Sequence, residues 1–163
     1  VPSKLLNQAM QFYNSNIHLI SNRKYIGIID FKLHNSIERF YLYDTETKMA
    51  ESYLVAHGKN SDRDFDGYAT KFSNVVDSLQ TSLGFYLTAE EYVGQNGQSL
   101  RLDGLSMTNS NARQRAIVIH GASYVKPGQK IGRSFGCPAV ELPYTDSIIQ
   151  KLKEGALIYA AFD

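Results

Sequence analysis

The chain has 163 residues, 43% of them hydrophobic, with 17 basic and 16 acidic side chains and a formal net charge of +1. That size and composition suit one globular domain with its own core and exclude a disordered chain. The near-neutral charge gives no sign of a nucleic-acid binder, no apolar run approaches a membrane span, and a lone cysteine excludes an internal disulfide framework.

The sequence opens at Val1, with neither an initiating Met nor a signal peptide, and reads as a processed or trimmed chain whose export signal is missing. Leu5, Leu6, Ala9, Met10 and Tyr13 recur at helical spacing and predict a helix over Ser3–Tyr13, with Ser3 as its N-cap. Tyr25–Phe31, Phe40–Tyr43 and Ser52–Ala56 are short β-rich runs between polar turns and predict a meander. Residues 58–82 show no periodicity, and a loop that long in a compact domain is usually functional or mobile. Strand patterns resume at Leu83–Leu87, Ser99–Leu102 and Ala116–Ile119. A short helix is predicted at Asp146–Lys153 and a last strand at Ala156–Ala160. The chain therefore reads as mainly β with a few short helices.

Cys137 is the only cysteine, in Gly132-Arg133-Ser134-Phe135-Gly136-Cys137-Pro138. A lone cysteine is most often a small buried hydrophobe. Here it follows a glycine-rich turn, and His120 stands at the end of a predicted strand upstream. No Asp or Glu occurs from Gly104 to Val140, while Arg113, Arg115, Lys126, Lys130 and Arg133 do. A thiolate nucleophile needs a base within reach and positive surroundings, and this pattern offers both.

Other matches fail on context. Gly132–Gly136 fits the G-x-S-x-G elbow of serine hydrolases, but no histidine follows position 120 and no alternating β/α pattern surrounds it. Ser21-Asn22-Arg23-Lys24 fits S-x-x-K without its companion motifs. His18, His34, His57 and His120 show no metal-ligand spacing, so neither metal nor cofactor is expected.

His120-Gly121 followed by Ser134-x-Gly136-Cys137 resembles the signature of the murein L,D-transpeptidases, the YkuD-like fold. The nearer likeness is to a divergent branch with Ile119-His120-Gly121-Ala122-x-Tyr124-Val125 and then Gly132-Arg133-Ser134-x-Gly136-Cys137-Pro138-Ala139. It is carried further by Val55–Gly58, Ala69–Asn74, Ser82–Gly84, Arg101–Leu105 and Asn111–Ala116. The wider family usually has His before the Gly-Cys pair and Arg soon after it; here Phe135 and Pro138-Ala139 stand in those places.

The resemblance implies a curled β-sheet or sandwich. Residues 1–163 would form a single catalytic domain, with a helical segment at 1–20 packing on it. It implies Cys137 as nucleophile, His120 as base, Gly121 as the carbonyl that orients the imidazole, and Gly136 as the geometry of the turn. An oxyanion would be met by the N–H groups of Gly136 and Cys137. The substrate would be a peptidoglycan stem peptide, cleaved with release of D-Ala and passed as a thioester to an amine or to water, in the periplasm or cell envelope. Ser134 lines the site or serves as a turn hydroxyl. Arg133 and Arg115 are anion contacts or structural partners. His57 and Tyr68 lie near the cleft or in exposed loop. A non-catalytic wall-binding module and a cysteine hydrolase of a wall-linked amide remain alternatives.

Overall fold

A computed structural model describes residues 1–163. Eight strands form one mixed sheet in the order β3-β2-β1-β8-β4-β5-β6-β7. They are β1 (Tyr25–Asp30), β2 (Phe40–Asp44), β3 (Ala50–Tyr53), β4 (Gly84–Gly94), β5 (Gly97–Gly104), β6 (Val118–Ala122), β7 (Ala139–Glu141) and β8 (Leu157–Ala161). The helices are α1 (Ser3–Ser15) and α2 (Thr145–Leu152). β1–β2–β3 form the antiparallel meander that the turn spacing predicts, and β4–β5–β6 form a second one. β8 inserts between them, parallel to β1.

The two sheet edges meet. After β3, Val55 bridges Val140 of β7, and Ala56 N–H donates to Ala139 O at 2.8 Å. The curled sheet is thereby nearly closed, and both potential edge strands are protected. This seam also explains a shift from the expected Ser52–Ala56 strand. Lys48, at φ 62°, turns the chain early enough for pairing with β2 to begin at Ala50, and Leu54–Ala56 leaves β2 for β7.

Alternation along β1 builds a core on each face of the sheet. Ile26 and Ile28 pack with Leu5, Ala9 and Tyr13 of α1. Ile29 joins Phe31, Phe40, Leu100, Ile119 and the α2 residues Ile148, Ile149 and Leu152 in the larger cluster. Ser3 does not cap α1: Pro2 holds the N-cap position, and no side-chain cap bond forms. Proline loses nothing there by lacking an N–H, because the first N–H groups of a helix have no partner within it. No helix is long and apolar enough to cross a membrane.

The long β4–β5 hairpin turns at Gln95–Asn96, with Gly97 at φ 80° in the left-handed position that closes such turns. Asn96-Gly97 is the sequence signal for it. β6 begins two residues later than expected because Ala116 sits at φ 55° and cannot join a ladder. It runs on to Ala122 because parallel pairing with β7 supports its far end. His120 therefore stands in the middle of a central strand rather than at a strand end, paired with Ser99 on one side and Ala139 on the other.

Candidate active site

A cleft of about 330 Å³ is lined by Asn96, Arg115, Ala116, His120, Tyr124, Arg133, Ser134, Phe135 and Cys137. The strand β6 supplies His120, the loop before β7 supplies Arg133 to Cys137, the loop before β6 supplies Arg115 and Ala116, and the β4–β5 hairpin tip supplies Asn96. Lone thiol and histidine thus share one concavity, as the sequence pattern anticipates.

His120 is buried, and its Nδ1 lies 2.9 Å from Gly121 O. A carbonyl only accepts, so Nδ1 carries the proton and Nε2 is left as the basic nitrogen. Gly121 is a glycine for packing reasons as well: a Cβ there would collide with Thr145 Oγ1 and lie 2.9 Å from Leu142 Cδ2.

Cys137 Sγ accepts from Val118 N–H at 3.4 Å and donates to Ala116 O at 3.5 Å. Ala116 presents that carbonyl from its left-handed conformation, a strain that tends to gather at functional sites. Burial pushes the thiol above its ordinary range, against the opposing pull of the Val118 N–H and Arg115. The cationic segment does not win this contest. That direction favours the protonated thiol, so a base that takes its proton is what would make the thiolate.

The turn before Cys137 is tied by Ser134. Its Oγ donates to Cys137 O at 2.6 Å and accepts Gly136 N–H at 3.1 Å. Its backbone N–H donates to His57 O at 3.0 Å, and its carbonyl accepts Lys59 N–H at 2.7 Å. Ser134 lines the site and is also the turn hydroxyl. The expected pair of oxyanion donors is corrected by this bond, because Gly136 N–H is already spent within the turn. Cys137 N–H keeps no acceptor in the fold.

Gly136 adopts φ 119°, and a Cβ on it would approach Gln80 O to 2.9 Å and Arg115 Nη2 to 3.2 Å. Gly136→Ala is expected to destabilise the fold by about 1–3 kcal/mol and to slow any cysteine chemistry, because strained backbone and a fixed carbonyl must both yield. Urea denaturation with thiol labelling of the folded protein measures both.

Both arginines of the cleft are tethered through neutral oxygens. Arg115 donates to Ser73 O, Ser78 Oγ and Gln80 O at 2.9, 3.1 and 2.6 Å, pinning the long 58–82 segment behind the turn. Arg133 donates to Asp62 O at 2.6 Å and lies over the Phe65 ring at 4.3 Å. Neither has a carboxylate within 4 Å, whereas Arg113 is neutralised by Asp103 and Glu90. The cleft keeps two unmatched guanidinium charges.

Two expected neighbours of the cleft are placed elsewhere. His57 is fully buried: its Nδ1 accepts from Arg39 Nη2 at 2.9 Å and its Nε2 lies 3.0 Å from Asp62 Oδ2. With both ring nitrogens used, it offers a substrate nothing and instead supports the strand segment that holds Ser134. Tyr68 is exposed and stacks edge-on against His34 at 4.8 Å, outside the cleft lining. Asn96, Ala116 and Arg39 were not singled out from sequence. Only Asn96 carried a readable signal, the Asn-Gly turn.

Asp62, Asp64 and Asp66 bring carboxylate oxygens within 4.8 Å of one another, away from the cleft. Asp62 already accepts from His57 and from the N–H groups of Asp66 and Gly67. Its lone pairs are satisfied without an ion.

The fold agrees with the comparisons. A family model described as the L,D-transpeptidase catalytic domain matches residues 1–161, and the chain belongs to that family. No curated protein sequence matches it. An L,D-transpeptidase from Mycobacterium smegmatis superposes with a TM-score of 0.52 at 12% identity, covering 85% of this chain and 58% of its own. The helical cell shape determining protein Pgp2 of Campylobacter jejuni gives 0.56 at 13%, covering 88% and 49%. An L,D-transpeptidase, LdtMt1, solved with imipenem gives 0.52 at 12%, covering 85% and 59%. At those identities the likeness is one of fold. The chain matches between 49% and 59% of the length of these proteins.

Proposed function

We propose that this domain is a cysteine acyltransferase acting on peptidoglycan stem peptides. The observation that carries the reading is the shared cleft. In it His120, its Nδ1 proton fixed on Gly121 O, has a basic Nε2 left over in the cleft that also holds the only thiol of the chain. The family membership supports the substrate class, and the unmatched charges of Arg115 and Arg133 suit a donor rich in carboxylates.

His120 Nε2 takes the Cys137 proton as sulfur attacks the carbonyl of the diaminopimelate–D-Ala link. The Cys137 N–H faces the developing oxyanion. Collapse breaks the C–N bond, His120 returns the proton to the leaving amine, and D-Ala departs from the thioester. An acceptor amine then attacks, His120 takes its proton, and the sulfur leaves, giving a 3→3 cross-link. Water in place of the amine gives a tripeptide. The proposed site of action is the cell envelope, with the periplasm as its compartment.

Incubation with a disaccharide tetrapeptide is expected to yield a cross-linked dimer, a tripeptide, or both by mass spectrometry. A carbapenem is expected to add once per chain, at Cys137, and His120→Ala to slow that addition at least about a hundredfold by removing the base. A folded protein that neither turns over the tetrapeptide nor forms the adduct would be a wall-binding module. Release of a wall-linked amide from sacculi without cross-linking would indicate the hydrolase alternative.

A further inference from the structure

A concavity of about 420 Å³ lies between α1 and the strands β4 and β8, and it shares no residue with the thiol cleft. α1 packs on one face of the sheet, whereas Cys137 packs against the core cluster of the other. The acyl-transfer scheme uses none of the residues that line it.

Its floor is aromatic. Phe85 of β4 stacks on Phe12 of α1 at 3.9 Å and on Tyr159 of β8 at 4.4 Å, with interplanar angles of 8° and 11°. All three rings stay only half-buried. The fold holds this floor in place. Tyr159 Oη donates to Gln8 Oε1 at 2.9 Å, and Gln8 Nε2 donates to Asp163 Oδ2 at 3.1 Å. The backbone N–H and the Nδ2 of Asn16 both donate to Phe12 O. The concavity is thus formed before a ligand arrives, as small-molecule sites usually are.

Its rim is polar but uncharged. No ionisable acid or base lines it apart from the Tyr159 phenol, and nearby Asp163 is already held by Lys4 at 2.8 Å. Gln11 and Ser15, four residues apart on one flank of α1, are exposed and make no side-chain hydrogen bond in the fold. Asn16 Oδ1 is also unspent, since only its Nδ2 is engaged. These groups include acceptors as well as donors. A ligand that fits brings apolar faces for the rings, donors and acceptors around its edge, and no charge. A saccharide has that chemistry: its C–H faces are apolar, and its hydroxyl groups both donate and accept. A proline-rich segment would suit the rings but brings no N–H to the free acceptors.

We propose that this concavity binds a neutral saccharide, seated against Phe12, Phe85 and Tyr159 and hydrogen-bonded by Gln11 and Ser15. The saccharide class rests on the lining alone. Its assignment to the glycan strand that carries the stem peptides rests on the acyl-transfer reading. Because the concavity lies apart from Cys137, one polymer can occupy both places. A strand held at α1 raises the effective concentration of its own stems at the thiol cleft, as any pair of linked sites does. No bond forms or breaks at this second site.

The probe is tetra-N-acetylchitotetraose, a neutral saccharide without a stem peptide, titrated into isotope-labelled protein and followed by NMR. Signals of residues 8–16, Phe85 and Tyr159 are expected to shift, with roughly millimolar affinity. Gln11→Ala and Ser15→Ala alter exposed groups that bond nothing in the fold, so both are expected to remain folded. Each is expected to weaken binding about fivefold, the loss of one hydrogen bond. Cys137→Ser is expected to bind the probe as wild type does. Shifts confined to the thiol cleft, no shifts at all, or equal affinities in wild type and both α1 variants overturn the proposal. So does a proline-rich peptide that moves these signals where the saccharide does not. A wild type that binds the saccharide at α1 but neither acylates nor turns over a tetrapeptide overturns the acyl-transfer reading and supports this site.

Discussion

Cys137→Ser is expected to lower acyl-enzyme formation at least about a thousandfold at pH 7 while leaving the circular dichroism spectrum unchanged. The side chains are nearly isosteric, and the Val118 N–H and Ala116 O that bracket the sulfur serve a hydroxyl equally well. The difference is chemical. Burial already holds the thiol above its ordinary range, and a hydroxyl is a far weaker acid in the same place. His120 can take the proton of a thiol, but the same transfer from a serine hydroxyl, a far weaker acid, is uphill by much more.

The pH dependence has a definite sign. Because the folded thiol titrates above its usual value, iodoacetamide labelling should climb steadily from pH 7 to 9 without an early plateau. Ser134→Ala supplies the contrast. It loses the bond to Cys137 O and frees Gly136 N–H, so it should retain part of the activity. A dead Ser134→Ala beside an active Cys137→Ser would show that the Gly132–Gly136 elbow is the true nucleophile site.

The parts of this structure legible in the sequence are those set by local pattern. Period-two runs located β1, β2 and β8, and helical spacing located α1 and α2, each to within a few residues of its ends. That Cys137 and His120 belong to one cleft was legible because reactive residue types are scarce here and their setting is unusual. Long-range pairing was not legible. Nothing local to Leu54–Ala56 says that it leaves β2 to meet β7, and nothing in Ala139–Glu141 marks so short a strand. The position of His120 within β6 depended on that same pairing. His57 illustrates the limit for sites. Its neighbours in sequence fit the family pattern, but its role comes from Arg39 and Asp62, which tertiary packing delivers.

The buried triad of Arg39, His57 and Asp62 is expected to make the fold acid-sensitive, and Asp62→Ala to cost at least about 1–3 kcal/mol, the range for leaving a buried hydrogen-bond donor without its acceptor. Arg39 is fully buried and held by Val55 O, Leu33 O and His57 Nδ1, with no carboxylate in direct contact. Burial lowers it to about 9, and Asp30 and Asp62 oppose that shift. Removing Asp62 takes away one of these two charges, the acceptor of His57 Nε2–H, and the acceptor of two backbone N–H groups.

His57 itself is lowered to about 4, first by burial and then by Arg39, with the Asp62 contact opposing. The geometry explains this. Arg39 can only donate, so Nδ1 must accept, and a second proton on the ring would have to sit on that nitrogen, facing a guanidinium. The unfolded chain protonates this histidine near 6.5, so between that value and about 4 the unfolded state binds the extra proton. The stabilisation from neutral His57 is complete above pH 6.5 and is lost as pH falls towards 4, by about 3 kcal/mol in all. Urea denaturation of wild type and His57→Gln across pH 7 to 4 isolates this contribution, because glutamine offers one acceptor to Arg39 and one donor to Asp62 but does not titrate. The variant should lose less stability on acidification than wild type. Parallel pH profiles for the two proteins would mean that His57 is not held neutral by the network that supports the Ser134 turn.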